Sequence, residues 1–356
     1  MLRRLSRSVL RSPQFGLVAV LIALGAALTL AAGSHRDPIS GATVNNFLNA
    51  HTLIQMATDA SGFAIMGVGA TIVIICGGID LSVGAIYALA GVTMAMVLRA
   101  AGPMGAAETV ALALVSSLLV SLVCGFANGV MVIGLGVHPF IITLGTMWML
   151  RGLAFVISRA VSILVPPALT SVAKASLGLS GTLYPVPLVL TLAVTAAGSV
   201  YLQRTVMGRH IFAVGGNAEA SRFSGLNVSR IRLGVYVLSG LSAGIAAFLG
   251  AAFYGSATSS DANGYELYVI ASAVVGGASL TGGKGSAVSA MLGALLIVMI
   301  RQAIRTLHLD QNYEWIIIGG AMILAVVLDQ GGTRLMARRL TAARGGRGTA
   351  SRGSTP

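Results

Sequence analysis

Apolar runs of about 20 residues, repeated along the chain with scarcely a charge inside them, leave few folds open. Wound as a helix, such a run rises about 1.5 Å per residue and reaches across about 30 Å of hydrocarbon. Ten can be read, at 15–32, 61–78, 81–99, 108–133, 139–158, 186–203, 233–254, 265–281, 285–304 and 313–330. Only 9% of the 356 residues carry charge, against about 25% in an average soluble domain, so no polar shell is available to cover a water-soluble core. The expectation is an all-α integral membrane protein of about ten spanning helices, with lipid as its main surroundings. A membrane domain at 15–330 sits between a basic N-terminus at 1–14 and a Gly, Ser and Arg tail at 331–356, read as disordered. The first span exceeds the usual core of a secretory signal and is read as uncleaved.

The charges that remain are unevenly placed. Of 23 lysines and arginines, fifteen fall in three clusters: Arg3, Arg4, Arg7 and Arg11; the loop Arg204–Arg232; and the tail beyond Gly331. Basic residues beside spans mark the cytoplasmic side of a bilayer. Ten crossings from a cytoplasmic N-terminus bring all three clusters to that side, so the net charge of +13 reports topology and not a nucleic-acid partner. The stretch NNFLNAHTLIQMATDA before the second span mixes polar and apolar residues at helical spacing and reads as a short interfacial or re-entrant helix. Cys76 and Cys124 lie inside apolar runs and read as small buried hydrophobes.

One apolar run is broken by GGIDLSVGA, from Gly77 to Ala85. An ionised aspartate at mid-membrane costs about 2.5–3.5 kcal/mol on insertion scales, so Asp80 needs water or partners. Gly77 and Gly78 can end one helix, and Asp80 or Ser82 can accept hydrogen bonds from the amides that open the next. Two readings stay open: a tight capped turn between spans, or a broken helix lining a pathway. A shift of 199 residues sets GGIDLSVG over GGASLTGG, matching Gly77 with Gly276 and Gly78 with Gly277. Paired Gly-interrupted segments point to a transport pathway built from an internal repeat.

Catalytic chemistry is absent. ASLTGGKGS fails as a phosphate loop, because Ala278 stands at its first glycine and Gly285 where a hydroxyl must be. The five histidines have no metal-ligand spacing and no nucleophile elbow occurs; no enzyme activity, cofactor or metal is expected. Few acidic residues approach mid-span positions, so a self-powered, ion-coupled carrier, which uses them, is the rival reading.

The loop at about 204–232 has the polarity to fold, with a helical turn over Ala218–Phe223, Asn217 as its cap and Gly225 as its end. Together GGIDLSVGA, GVHPFIITLGTM, GRHIFAVGGNAEASRFSGLNV and VVGGASLTGGKGS resemble the permease family of bacterial ribose-, xylose- or galactose-type sugar ABC importers, over roughly residues 45–330. The resemblance implies a passive inner-membrane subunit with a second permease copy, a cytoplasmic ATPase, and a periplasmic sugar-binding protein. It also implies that Gly215, Asn217, Glu219, Ala220, Arg222 and Gly225 form the segment seated on the ATPase. The match to the family's EAA pattern is loose, serine standing third in Glu219-Ala220-Ser221. Related permeases carry autoinducer-2 or nucleosides. A sugar pathway asks for hydroxyls, amides and aromatics rather than fixed charge, for which Tyr87, Asn128, Thr143, Thr146 and Trp148 are candidates. Each has the alternative of packing helices together.

Overall fold

The computed structural model describes residues 13–36, 41–176, 183–321, 323, 324 and 327; the predicted disordered tail, and all of the basic N-terminus but its last two residues, lie outside them. Helix α1 (Pro13–Ala31) leads into a small antiparallel hairpin, β1 (Ser34–Arg36) on β2 (Thr43–Asn45). Helices α2 (Ala50–Ile75), α3 (Val83–Ala101), α4 (Ala106–Gly134) and α5 (Pro139–Ser158) follow. Strand β3 (Ile163–Leu164), helix α6 (Pro167–Ala173), helix α7 (Val186–Arg204), two short helices α8 (Val206–Gly216) and α9 (Ala218–Phe223), and the long α10 (Val228–Tyr254) come next. Strand β4 (Ser256–Ala257) pairs with β3, and α11 (Tyr265–Val275) and α12 (Ala287–Thr306) complete the named elements, with helical residues again at 313–321. The chain is an all-α membrane protein, its only sheets among the described residues being these two-stranded pairs.

Among the described residues, eight helices are long and apolar enough to cross a bilayer: α1, α2, α3, α4, α5, α7, α10 and α12. Two expectations need correcting. From Ala50 onward, the stretch expected to be a short interfacial or re-entrant helix is the opening of α2, capped where Asn49 Oδ1 accepts the Thr52 amide at 2.8 Å. Nothing interrupts it before residue 61, because its polar groups find partners: Gln55 Nε2 donates to Asp59 (2.8 Å), and Arg305 pairs with Asp59 at 3.2 Å. The run at 265–281 is not one continuous spanning helix. It is helical for only 11 residues, about 16 Å, roughly half a hydrocarbon core. The tenth run, 313–330, is described in part only.

Buried α2 stands at the centre, with α7, α10, α11 and α12 packed on it, α3 is held by α4, α5 and α10, and α1, α4, α5 and α7 present most of their length to the outside. The α4–α10 crossing depends on missing side chains. A Cβ on Gly125 would lie 2.5 Å from the Tyr236 carbonyl oxygen, and one on Gly240 would overlap that of Ser121. Ser117 Oγ donates across the same seam to the Gly244 carbonyl at 2.8 Å. Without water to drive helices together, close backbone approach of this kind supplies the adhesion. Where α12 ends, the Arg301 guanidinium lies 5.1 Å over the Phe63 ring and 4.5 Å over Tyr268, and its Nε meets Glu314 at 2.6 Å. That joins α2, α11, α12 and the helical stretch beyond.

Overpacking a close helix crossing costs about 1–3 kcal/mol or more. Gly240→Val is therefore expected to lower the melting temperature of the purified protein, while Gly234→Ala, where an added Cβ meets nothing within 4 Å, leaves it unchanged; equal melting curves would contradict the seam.

Candidate functional site

Helix α2 ends in a Schellman motif. The Gly78 amide reaches back to the Val73 carbonyl (3.0 Å), the Gly77 amide to Ile74 (2.9 Å), and Gly77 takes φ +83°, which a side chain would strain. The chain then runs without helix through Ile79 to Ser82, carrying a buried carboxylate. Asp80 Oδ1 accepts from the Ser82 amide (2.9 Å) and the Ser82 hydroxyl (2.6 Å), and Oδ2 accepts from Ser239 Oγ (2.7 Å). Asn128 Nδ2 donates to Ser82 Oγ at 2.7 Å. The Ile79 carbonyl accepts from Thr143 Oγ1 (3.3 Å) and from the Tyr236 hydroxyl (3.4 Å). Ser239 is twelfth in α10, about 16 Å from the helix's start, so the cluster lies deep in the bundle.

The sequence alone places Asp80 or Ser82 as a local cap of α3. Ser82 is the N-cap residue of α3, but its side chain makes no cap bond, and Asp80 bonds to Ser82 rather than to the helix's first turn. The partner from outside the segment, Ser239, left no sequence signal, since it is one small polar residue among several on α10.

The second break repeats the first. After α11 the Gly277 amide reaches Val274 (2.8 Å), the Ala278 amide reaches Ala273 (2.9 Å), and Gly277 has φ +93°. The two motifs superpose Gly77 on Gly277, a shift of 200 and not the 199 that the glycine pairs suggested. Gly276 matches Cys76, because the residue in left-handed conformation fixes the register, whereas a doublet of glycines does not reveal which member takes it. Phe63 packs on Tyr265 and Tyr268, and Gly67 on Ser272, so α2 and α11 run in parallel and end at the same face.

Short α11 requires the chain before it to enter the bundle. Arg151, buried on α5, holds that segment: Nη1 donates to the carbonyls of Ser259 (2.8 Å) and Asp261 (2.6 Å), and Nη2 to Ala262 (3.2 Å). A guanidinium with three carbonyl acceptors has exchanged its hydration for backbone. The first turn of α3 meets this segment, and a Cβ on Gly84 would stand 2.5 Å from Glu266 Oε2 and 2.6 Å from the Ala262 carbonyl. Broken chain entering from the two ends of the bundle therefore touches at Gly84.

The remaining predicted residues scatter. Asn128 and Thr143 join the Asp80 cluster, while Thr146 is buried and turned back onto the Thr143 carbonyl (3.2 Å). Trp148 is 68% exposed, on the outer face of α5. Tyr87 lines a cavity of about 40 Å³ with Asp59, Tyr254 and Tyr265, which suits a water molecule and not a sugar. In the polar loop, α9 spans Ala218–Phe223; Asn217 Oδ1 caps it by accepting the Ala220 amide (2.9 Å), and Gly225, at φ +84°, closes it. Glu219, Ala220 and Arg222 face outward. So does Phe223, 84% exposed, whose exposure no pattern in the sequence signals. Gly215, at the end of α8, is packed against the last turn of α2.

Residues 52–326 match the family described as branched-chain amino acid transport system / permease component. Among curated proteins the chain is similar to the D-allose transport system permease protein AlsC of Escherichia coli strain K12, 36% identical with 80% of this chain and 85% of that one covered. It is similar to the ribose import permease protein RbsC of the same strain, 34% identical over 80% and 87%. The autoinducer 2 import system permease protein LsrD of Yersinia enterocolitica serotype O:8 / biotype 1B is 31% identical over 86% and 90%. No solved structure matches.

Removing the Asp80 carboxylate strands three donors, at about 1–3 kcal/mol for each one left buried and unpaired. Asp80→Ala is expected to melt well below wild type and below Asp80→Asn, which keeps one acceptor oxygen for Ser82. Identical melting of the two variants in detergent would show the cluster to be energetically idle.

Proposed function

Since the chain belongs to the branched-chain amino acid transport system permease family, a multi-pass family of transport subunits, we propose that it is the membrane conduit of an ATP-binding cassette importer that brings a ribose- or allose-type monosaccharide into the cell. The exposed α9 knuckle carries this reading. A membrane protein that leaves Phe223 bare beside Glu219 and Arg222 at the tip of a six-residue helix presents an aromatic anchor with a charged rim, the composition of an interface core. The occupant is a separate cytoplasmic ATPase, and Gly215, Asn217, Glu219, Ala220, Arg222 and Gly225 build and present the contact.

The names of two of the three relatives, AlsC and RbsC, support a sugar cargo, and the interior chemistry agrees. Of the buried charges at the breaks, Asp80 is engaged by hydroxyls and an amide and Arg151 by carbonyls, while Glu266 Oε2 is buried beside Gly84 without a hydrogen-bond partner; the groups around Asp80 and Arg151 are hydroxyl, amide and backbone, which suit an uncharged polyhydroxylated solute. The LsrD relative favours autoinducer 2 as a second reading. Gly77, Gly78, Asp80, Ser82, Gly276 and Gly277 shape the gate; Asn128 and Thr143 support it. A periplasmic binding protein delivers the cargo, a second permease copy completes the pore, and both basic termini and the α8–α9 knuckle lie on the cytoplasmic side of the inner membrane. ATP binding draws the paired ATPases together and shifts the conduit between two accesses.

In proteoliposomes with ATPase and binding protein, Phe223→Ala and Arg222→Glu are expected to cut uptake about tenfold or more, the scale of a lost interface anchor, while the permease alone accumulates nothing. Uptake should stop on ATP depletion and survive a proton uncoupler. Unaided accumulation, or uptake untouched by both substitutions, contradicts the proposal. Sidedness is checked by labelling single cysteines in a background lacking Cys76 and Cys124: Ser224→Cys from the cytoplasmic side only, Pro103→Cys from the other side only.

A further inference from the structure

Gly215 sits where three backbones meet with no side chain between them. A Cβ there would overlap the Ile75 carbonyl oxygen and come within 2.8 Å of the Gly283 amide nitrogen. That amide donates to the Ile75 carbonyl at 2.9 Å, satisfying one of the carbonyls a helix end leaves free. From the other side, a Cβ on Gly282 would lie 2.5 Å from the Gly215 carbonyl oxygen. The end of α8, the last turn of α2 and the loop after α11 are thus in direct main-chain contact. Buried Ile211 and Val214 of α8 pack in one cluster with Val73, Ile75 and Cys76, which keeps the contact closed.

Resting on the coupling role proposed for α9, we infer that Gly215 is a joint through which displacement of the knuckle reaches both breaks together. Asn217, the cap of α9, is two residues beyond it on one side; Ile75 lies five residues before Asp80 on the other. Side chains can absorb a small shift by changing rotamer, whereas packed backbone cannot, so movement of α9 is delivered undamped to the Asp80 segment and to the 276–286 loop. Gly215 touches no cargo; it is a positioning residue. The arrangement also gives the repeat a purpose: a single cytoplasmic helix serves two breaks because both Schellman ends lie side by side beneath it.

The test uses the assembled, reconstituted transporter. Gly215→Ala is expected to reduce uptake about tenfold or more, the range of a lost allosteric coupling, with ATP hydrolysis held within about twofold and the ATPase still bound. Gly216→Ala, whose Cβ meets nothing within 4 Å, should transport normally. Hydrogen exchange on the wild-type assembly keeps the inference open to refutation should Gly215→Ala fail to fold: segments 75–82 and 278–286 are expected to change protection together when the ATP-bound state is trapped. Normal uptake by a folded Gly215→Ala, or a change confined to one segment, overturns the joint. If Phe223→Ala and Arg222→Glu uncouple uptake while Gly215→Ala does not, the joint alone fails; if those two are also silent, the coupling role has failed with it.

Discussion

A main chain that leaves helical geometry inside hydrocarbon has to find every lost hydrogen bond within the protein. That demand organises the molecule. The chain breaks after Ile75 and after Val275, and at both places a Schellman motif returns two amides to the helix just ended before the chain goes on. What the motif leaves over, the tertiary structure supplies. Thr143 and Tyr236 donate to the Ile79 carbonyl, Ser239 and Ser82 hold the Asp80 carboxylate, and Arg151 gathers three carbonyls ahead of α11. Because donors must arrive from α4, α5 and α10 at once, the breaks can exist only at the centre of the bundle, and the outer helices α1 and α7 run unbroken.

The same arrangement separates rigidity from movement. Glycine-lined crossings such as α4 on α10 fix one part of the bundle by close backbone contact. The broken segments are held by a countable set of hydrogen bonds, mostly to hydroxyls, which exchange partners at little cost. The conduit proposed above, worked by an external motor, needs this contrast: a frame that does not yield, and a short length of chain that does. Buried charge serves the frame at Asp80 and Arg151, which are spent on internal hydrogen bonds, whereas Glu266 keeps a buried oxygen with no hydrogen-bond partner beside Gly84.

Much of the plan was legible in the sequence because hydrocarbon imposes a length rule on every helix. The apolar runs located the spanning helices to within a few residues over most of the chain, the glycines marked both breaks, and Asn217 and Gly225 bracketed α9. Failures came where the rule loses force. The start of α2 was misjudged because Gln55 and Asp59 look interfacial until Arg305, far away in sequence, is brought beside them. The run at 265–281 was counted as a span because hydropathy does not register a helix that ends after 11 residues. The repeat was placed one residue out of register, because only backbone conformation distinguishes Gly276 from Gly277.

By itself, then, the sequence determined the solvent of this protein, the number of long helices to within about two, and the positions at which helix must stop, since each follows from local composition and from the geometry of single residues. Tertiary structure alone decided what the stops meet. That Asp80 meets Ser239, that Arg151 captures the chain before α11, and that Gly215 lies on Ile75 and Gly283 are contacts between residues far apart in the chain. Such contacts are selected by how helices fit together once hydrogen bonds unmet in lipid force them inward, and no local pattern encodes that fit.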